Sequence, residues 1–385
     1  MLLINFFDTD YISALIPVKT FCPERIIFLS DHTNHHSQGP VFLQDTIARF
    51  YDKHNPPELE FFGVDADDLH AIEDTLRELI GKNKNEDILL NITGGSVQMG
   101  IAAFGASFRF ANVSPICVDR GSNVIMNVLT QETIAELAHI TLDDYISVIG
   151  AERRGNSKSI PPENMFDAVK EVSEMIFAHE ETWHALCDYL VRYTRSYDIG
   201  SPFHLPKTAK YNRKSFAIRF MMDKIAECGF VRKVNDSLYA YVSGQYKSYL
   251  MTYGSWLELY VYIHAIKYFD DVSVGVQVDW TKHDYFQTLD NEIDVLAMKN
   301  SEPYFISCKM TEPTIQNLYE IGYVATHVKG IYAHPILATT YPVRQRKKGP
   351  SELLERVRKL HIGLIEAEDF KTKSVKKVFK DATVK

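Results

Sequence analysis

At 385 residues, 45% hydrophobic and 24% charged, the chain has the composition of a globular protein of two or three domains. No run approaches the ~18 apolar residues of a membrane span, and Met1-Leu2-Leu3-Ile4-Asn5-Phe6-Phe7 lacks a basic leader, so neither a membrane partner nor a signal peptide is expected. The formal net charge of −8 argues against wholesale nucleic-acid affinity, and Cys22, Cys117, Cys187, Cys228 and Cys308 contain no CxxC pair, so a reduced cytoplasmic protein without structural zinc is expected.

Residues 1–7 read as a first strand, followed by a polar loop at Asp8-Thr9-Asp10-Tyr11. Strands are expected over 25–30, 59–64 and 87–92, with helices over 41–53 and 67–81 between them. In the second of these helices Leu69, Ile72, Leu76, Leu79 and Ile80 fall on one face. A helix over 97–110 and strands over 113–119 and 124–128 complete the unit. Strands alternating with helices predict a mostly parallel sheet of the Rossmann type.

The chemical feature of this half is the turn Thr93-Gly94-Gly95-Ser96, which leaves an apolar strand and opens a helix. Two glycines let a ligand approach the backbone, and a helix N-terminus offers free N–H groups to an anion. Sheets of this kind bind ligands beyond the carboxyl ends of their strands, where Asp8 to Tyr11 would also lie. No GxGxxG and no GxxxxGK[ST] is present, and a plain strand-to-helix turn is the alternative reading. The run Asn91-Ile92-Thr93-Gly94-Gly95-Ser96-Val97-Gln98-Met99 resembles the Asn-x-Thr-Gly-Gly-Thr-x-x-Met signature of CRISPR-associated Rossmann-fold (CARF) sensor domains. The resemblance covers about residues 1–150. It implies a homodimer binding cyclic oligoadenylate, with Thr93, Gly94, Gly95, Ser96 and Gln98 lining the pocket and Asp8, Thr9 and Tyr11 adding contacts. Ser96 stands where Thr is common and keeps the hydroxyl.

Residues 151–160 are polar and lead into Pro161-Pro162, the best linker candidate. Residues 163–195 read as long helices. A helix over 216–228 followed by a hairpin around Asn235-Asp236-Ser237 gives the 151–250 segment a winged-helix-like order. Lys207, Lys210, Arg213, Lys214 and Arg219 make its approach basic. Such a unit binds DNA in some proteins and only packs domains together in others.

The last unit, 251–385, opens with a helix from Trp256 that carries Glu258 among apolar neighbours. A strand over 272–278 follows. Then Asn291-Glu292-Ile293-Asp294-Val295-Leu296-Ala297 and Tyr304-Phe305-Ile306-Ser307-Cys308-Lys309 flank a turn and predict a hairpin. Side chains alternate along a strand, so Glu292 shares a face with Asp294, and Ser307 with Lys309. If the faces coincide, two carboxylates and an ammonium converge, a set suited to holding a divalent cation beside a phosphodiester. A solvated cross-strand ion pair is the plainer alternative. A helix over 314–328 and a strand over 331–338 come next. Between Val343 and Lys385, 13 Lys or Arg stand against 6 Asp or Glu, marking either a nucleic-acid surface or a solvated, frayed end.

This order resembles the PD-(D/E)xK nuclease core, and Gly-x-Trp-Leu-Glu, Asn-Glu-Ile-Asp-Val and Cys-Lys resemble the nuclease half of CARF ancillary nucleases of type III CRISPR systems. The resemblance implies Asp294 as the main metal ligand, Glu258 as the first-helix acid and the Cys308 carbonyl as a further ligand. Lys309 would orient water or stabilise the phosphorane charge, and Gln277 would face the site. The acid of (D/E)xK falls at Ser307, so Glu292 or Glu258 would supply the missing charge. The expectation is a homodimeric nuclease that uses Mg²⁺ or Mn²⁺ on DNA or RNA and is activated by cyclic tetra-adenylate. The alternative is a ligand-responsive transcription regulator whose last domain is inert.

Overall fold

The computed structural model describes residues 1–8, 10–280, 290–327, 333–344 and 352–383. Strands β1 (Leu2–Phe6), β2 (Arg25–Asp31), β3 (Glu58–Val64), β4 (Ile88–Asn91) and β5 (Val113–Asp119) run parallel, and β6 (Val124–Asn127) and β7 (Thr133–Glu136) extend one edge antiparallel. Their order is β3-β2-β1-β4-β5-β6-β7. Around them lie α1 (Tyr11–Phe21), α2 (His32–His35), α3 (Gly39–Ile47), α4 (Leu69–Lys82), α5 (Val97–Arg109) and α6 (Leu142–Val148). Leu2, Ile4 and Phe6 pack with Ile72, Leu76 and Ala102, while Leu3 packs with Ile12, Leu15 and Tyr145 on the other face. A strand covered on both faces is apolar on both, which is why residues 1–7 show no alternation; the exception, Asn5, is buried and donates to the Ala14 carbonyl.

Helix α1 is an element the sequence pattern hides. Asp10 caps it by accepting the Ser13 N–H, and residues Tyr11 to Val18 are all buried. A helix buried all round has no polar face to betray its period.

The polar segment expected as a linker contains strand β8 (Glu152–Asn156). The central unit then comprises α7 (Phe166–Ala178), α8 (Glu180–Tyr193), β9 (Pro202–His204), β10 (Thr208–Tyr211), β11 (Lys214–Ala217), α9 (Arg219–Glu227), β12 (Val231–Lys233), β13 (Leu238–Tyr241) and α10 (Gly244–Leu250). The expected helix and hairpin are α9, β12 and β13, and β9 completes a three-stranded sheet. The core of this unit is continuous with the C-terminal one: Trp183, Met221, Phe230 and Tyr239 share a cluster with Trp256, Tyr260, Val295 and Ile306.

The C-terminal unit comprises α11 (Ser255–Ala265), β14 (Asp271–Asp279), β15 (Asp290–Lys299), β16 (Glu302–Lys309), α12 (Ile315–His327), β17 (His334–Thr339), α13 (Glu352–Lys359), β18 (Gly363–Glu366), α14 (Asp369–Thr372) and α15 (Val375–Ala382). Its sheet has the order β18-β17-β16-β15-β14-β8, so the supposed linker is an edge strand here. Part of the expected strand over 331–338 lies outside the described residues; the described part is β17. The basic C-terminal stretch is docked rather than frayed, with Val378, Phe379 and Ala382 of α15 buried in the main core.

Helix α6 joins the two sheets. Tyr145 is 2% exposed, contacts the Phe305 ring at 6.4 Å between centroids, and shares one core with Leu3, Ile293, Leu296 and Phe305. The Leu142 N–H donates to Asp271 Oδ2 at 2.9 Å. Emptying the Tyr145 site creates a cavity at the seam, so Tyr145→Ala should cost about 3–5 kcal/mol. The Tyr145 hydroxyl has no hydrogen-bond partner among the described residues, so Tyr145→Phe should be neutral or slightly stabilising. Thermal unfolding of the two variants checks the contrast.

Candidate active site

Glu292 and Asp294 lie two residues apart on β15 and so share a face, as do Ser307 and Lys309 on β16. The ladder pairs Val295 with Ile306, which sets Asp294 beside Ser307. The two faces coincide. Ser307 Oγ donates to Asp294 Oδ2 at 3.2 Å, the Cys308 N–H donates to the same oxygen at 2.7 Å, and Lys309 Nζ stands 3.6 Å from it. Gln277 on β14 pairs with Glu292 in register and is exposed on the sheet.

Glu258 enters from α11, a helix buried on every side, and is 5% exposed. Glu258, Glu292 and Asp294 each offer an oxygen within 4.8 Å of the others. At an effective dielectric near ~20, two unit charges at that spacing repel by about 3 kcal/mol. Burial, and then the Asp294 charge, pushes Glu258 up to about 7 against the pull of Lys158. Burial also raises Glu292, but the Ser157 hydrogen bond and the Lys158 ammonium outweigh it and leave that carboxyl below its usual range. The Cys308 thiol is pushed well above its ordinary value by complete burial and by Asp294, so it stays neutral and is no nucleophile.

Carboxylate oxygens that repel one another at this spacing form a donor set for a hard divalent cation. The cleft beside them is lined by Asn291, Glu292, Asp294, Phe305, Ser307 and Lys309, with Glu320 and Ile321 of α12 closing it. Two polar residues of this place escape sequence reasoning. Lys158 Nζ lies 2.6 Å from Glu258 Oε2 and 3.2 Å from Glu292 Oε1. It arrives on the segment after β8, and nothing in Asn156-Ser157-Lys158-Ser159 announces it. Glu320 lies on the exposed side of an ordinary amphipathic helix.

The N-terminal candidates gather at the carboxyl ends of β1, β4 and β5. β1 and β4 are neighbours from which the chain winds in opposite directions, and ligands bind at such switch points. A Cβ on Gly94 would lie 2.6 Å from the Phe6 carbonyl oxygen, and Gly95 has φ +86°, so both glycines are required by the turn itself. Thr93 Oγ1 donates to Asn91 Oδ1 at 2.7 Å and accepts the Val118 N–H at 2.8 Å. Ser96 caps α5 by accepting the Met99 N–H at 3.2 Å and donates to the Ala66 carbonyl at 2.7 Å. Gln98 is half-buried in the first turn of α5. Asp8 accepts the Asp10 N–H at 2.8 Å, and Asp10 holds the buried Arg120 at 2.6 Å. Tyr11 is 3% exposed, packed against Phe7 beneath Gly39, so it supports the loop from inside the core. Thr9 lies outside the described residues.

Against known proteins, no curated protein matches the sequence significantly. Solved structures share the fold, three of them as follows. Protein VC1899 from Vibrio cholerae superposes with a TM-score of 0.78 at 19% identity, covering 100% of this chain and 99% of its own. Can2 from Sulfobacillus thermosulfidooxidans, solved in complex with cyclic tetra-adenylate, gives 0.68 at 16% identity over 97% and 99%. A type III CRISPR defence DNA nuclease activated by cyclic oligoadenylate gives 0.53 at 11% identity, over 91% of this chain and 46% of that one. Residues 9–145 match the family model of the Card1 CARF domain, and residues 245–384 match that of the Card1-like endonuclease domain. The chain thus carries, in order along one polypeptide, a domain of the Card1 CARF family and a domain of the Card1-like endonuclease family.

Proposed function

We propose that the protein is a metal-dependent nuclease switched on by cyclic oligoadenylate. The observation that carries this reading is the meeting of Glu258, Glu292 and Asp294 oxygens within 4.8 Å, beside Lys309, in the endonuclease domain. Glu258, Glu292 and Asp294 would hold Mg²⁺ or Mn²⁺. The N–H and C=O of one strand residue point toward the same neighbouring strand, so the Cys308 carbonyl faces the side on which its N–H meets Asp294 and would add a ligand. When bound, the cation would acidify a water and neutralise phosphate charge. Lys309 would stabilise the charge that develops on the phosphorane. Ser307 offers no charge, and its hydroxyl orients Asp294 instead; Glu292 supplies the carboxylate that this position lacks.

Cyclic tetra-adenylate is the activator to test first, because the fold neighbour Can2 was solved with it. The CARF unit exposes an apolar stripe on α5, formed by Val97, Ile101, Phe104 and Phe108, with Phe108 69% exposed. The stripe begins at the Thr93–Ser96 turn. A second copy covering it around a two-fold axis would bring two such turns together, matching a symmetric cyclic ligand. The nuclease half would then respond through α6, whose core is shared between the two sheets.

Three outcomes are expected. With Mn²⁺ and cyclic tetra-adenylate the wild-type protein cleaves labelled DNA or RNA, while Asp294→Ala and Lys309→Ala lose about 100-fold or more. Sequence-specific duplex binding without any cleavage would point to a regulator instead. In differential scanning calorimetry, Mn²⁺ raises the unfolding temperature of wild type and leaves that of Asp294→Ala unchanged. Phe108→Asp places a charge in the apolar stripe and yields a monomer by light scattering, where wild type is a dimer.

A further inference from the structure

The carboxylate cluster already has a cation built into the chain. Lys158 Nζ is 2.6 Å from Glu258 Oε2 and 3.2 Å from Glu292 Oε1, and only 11% of the side chain is exposed. Both carboxylates belong to the set of three whose oxygens lie within 4.8 Å. Divalent cations take carboxylate oxygens at about 2.0–2.6 Å. An ammonium this close to two of the three carboxylates already balances their charge and repels an incoming cation, so the two compete for one seat.

The segment that carries Lys158 is placed to respond to the sensor. It follows β8, an edge strand held on one side by β14. β8 begins four residues after α6 ends, and Arg153 of β8 pairs with Asp143 of α6 at 2.9 Å. Beyond β8 the chain crosses β14 at Gly275. The Ser157 N–H donates to the Gly275 carbonyl at 2.7 Å. Gly275 has φ +60°, and a Cβ there would lie 2.4 Å from Ser157 Oγ and 3.1 Å from the Lys158 nitrogen. Only glycine lets the strap pass this closely. Ser157 Oγ then donates to Glu292 Oε1 at 2.5 Å.

We infer that Lys158 is a tethered stand-in for the metal: it neutralises Glu258 and Glu292 until displacement of α6 draws the strap along β14 and frees the carboxylates. The inference rests on the proposed metal site and adds how that site is regulated: sensor movement controls metal affinity, not only access of nucleic acid.

The test measures Mn²⁺ binding to the full chain by isothermal titration calorimetry, with and without cyclic tetra-adenylate. Lys158→Met removes the charge and keeps the length. Without the activator it should bind Mn²⁺ about tenfold or more tightly than wild type. Cyclic tetra-adenylate should tighten Mn²⁺ binding by wild type and leave Lys158→Met unchanged. Lys158→Arg keeps the charge and should retain the weak, activator-dependent binding of wild type. Equal or weaker binding by Lys158→Met, or none in either protein, overturns the inference. Loss of binding in Asp294→Ala with no gain in Lys158→Met overturns it alone. An Asp294→Ala variant that binds Mn²⁺ as wild type does overturns the metal site as well.

Discussion

Mutual repulsion among Glu258, Glu292 and Asp294 is the constraint on which the C-terminal domain is organised. Three carboxylates within 4.8 Å, one of them 5% exposed, repel one another unless a positive charge lies among them or one of them takes up a proton, and Glu258 is the one pushed up. The fold answers with Lys158 on one side and Lys309 on the other. It adds neutral donors as well: the Cys308 N–H and Ser307 hydroxyl on Asp294, and the Ser157 hydroxyl on Glu292. Such an assembly loses stability for the sake of a site. Burying Glu258 in a helix buried along its whole length is the clearest instance, since a leucine there would pack without charge.

The same constraint ties the two halves together. Lys158 reaches the carboxylates only because β8 joins the C-terminal sheet, and β8 starts four residues after α6. Tyr145 of α6 packs against Phe305 of β16, on the sheet face opposite Ile306 and Cys308. A shift of α6 therefore reaches the site by two routes, through Phe305 on the sheet face that also carries Ser307 and Lys309, and through the strap. Both are short and well packed, which favours discrete positions over gradual deformation.

Much of this was legible in the sequence where apolar period and turn chemistry agree. The β15–β16 hairpin, the amphipathic α4 and the Thr93–Ser96 turn follow directly from their residues, and alternation alone brings Glu292 and Asp294 to one face. What stayed hidden has physical reasons. Helix α1 is buried all round and contains Pro17, so neither period nor propensity marks it. Edge strand β8 is Glu-Arg-Arg-Gly-Asn and reads as a loop, because an edge strand can pair through its backbone with polar side chains on both faces. Lys158 follows it and was lost with it. The basic C-terminal stretch read as either a nucleic-acid surface or a frayed end; α15 removes the frayed reading by burying Val378 and Phe379 while its lysines face outward. Tyr11 was expected at a ligand surface and lies in the core instead, because it opens a helix rather than ending a loop.

The most direct measurement is an anomalous-diffraction map of crystals of the full chain grown with Mn²⁺ and cyclic tetra-adenylate. A manganese peak is expected among Glu258, Glu292 and Asp294, with the Lys158 side chain displaced from between the first two. A peak elsewhere, or no peak at these carboxylates while the activator is bound, would contradict it.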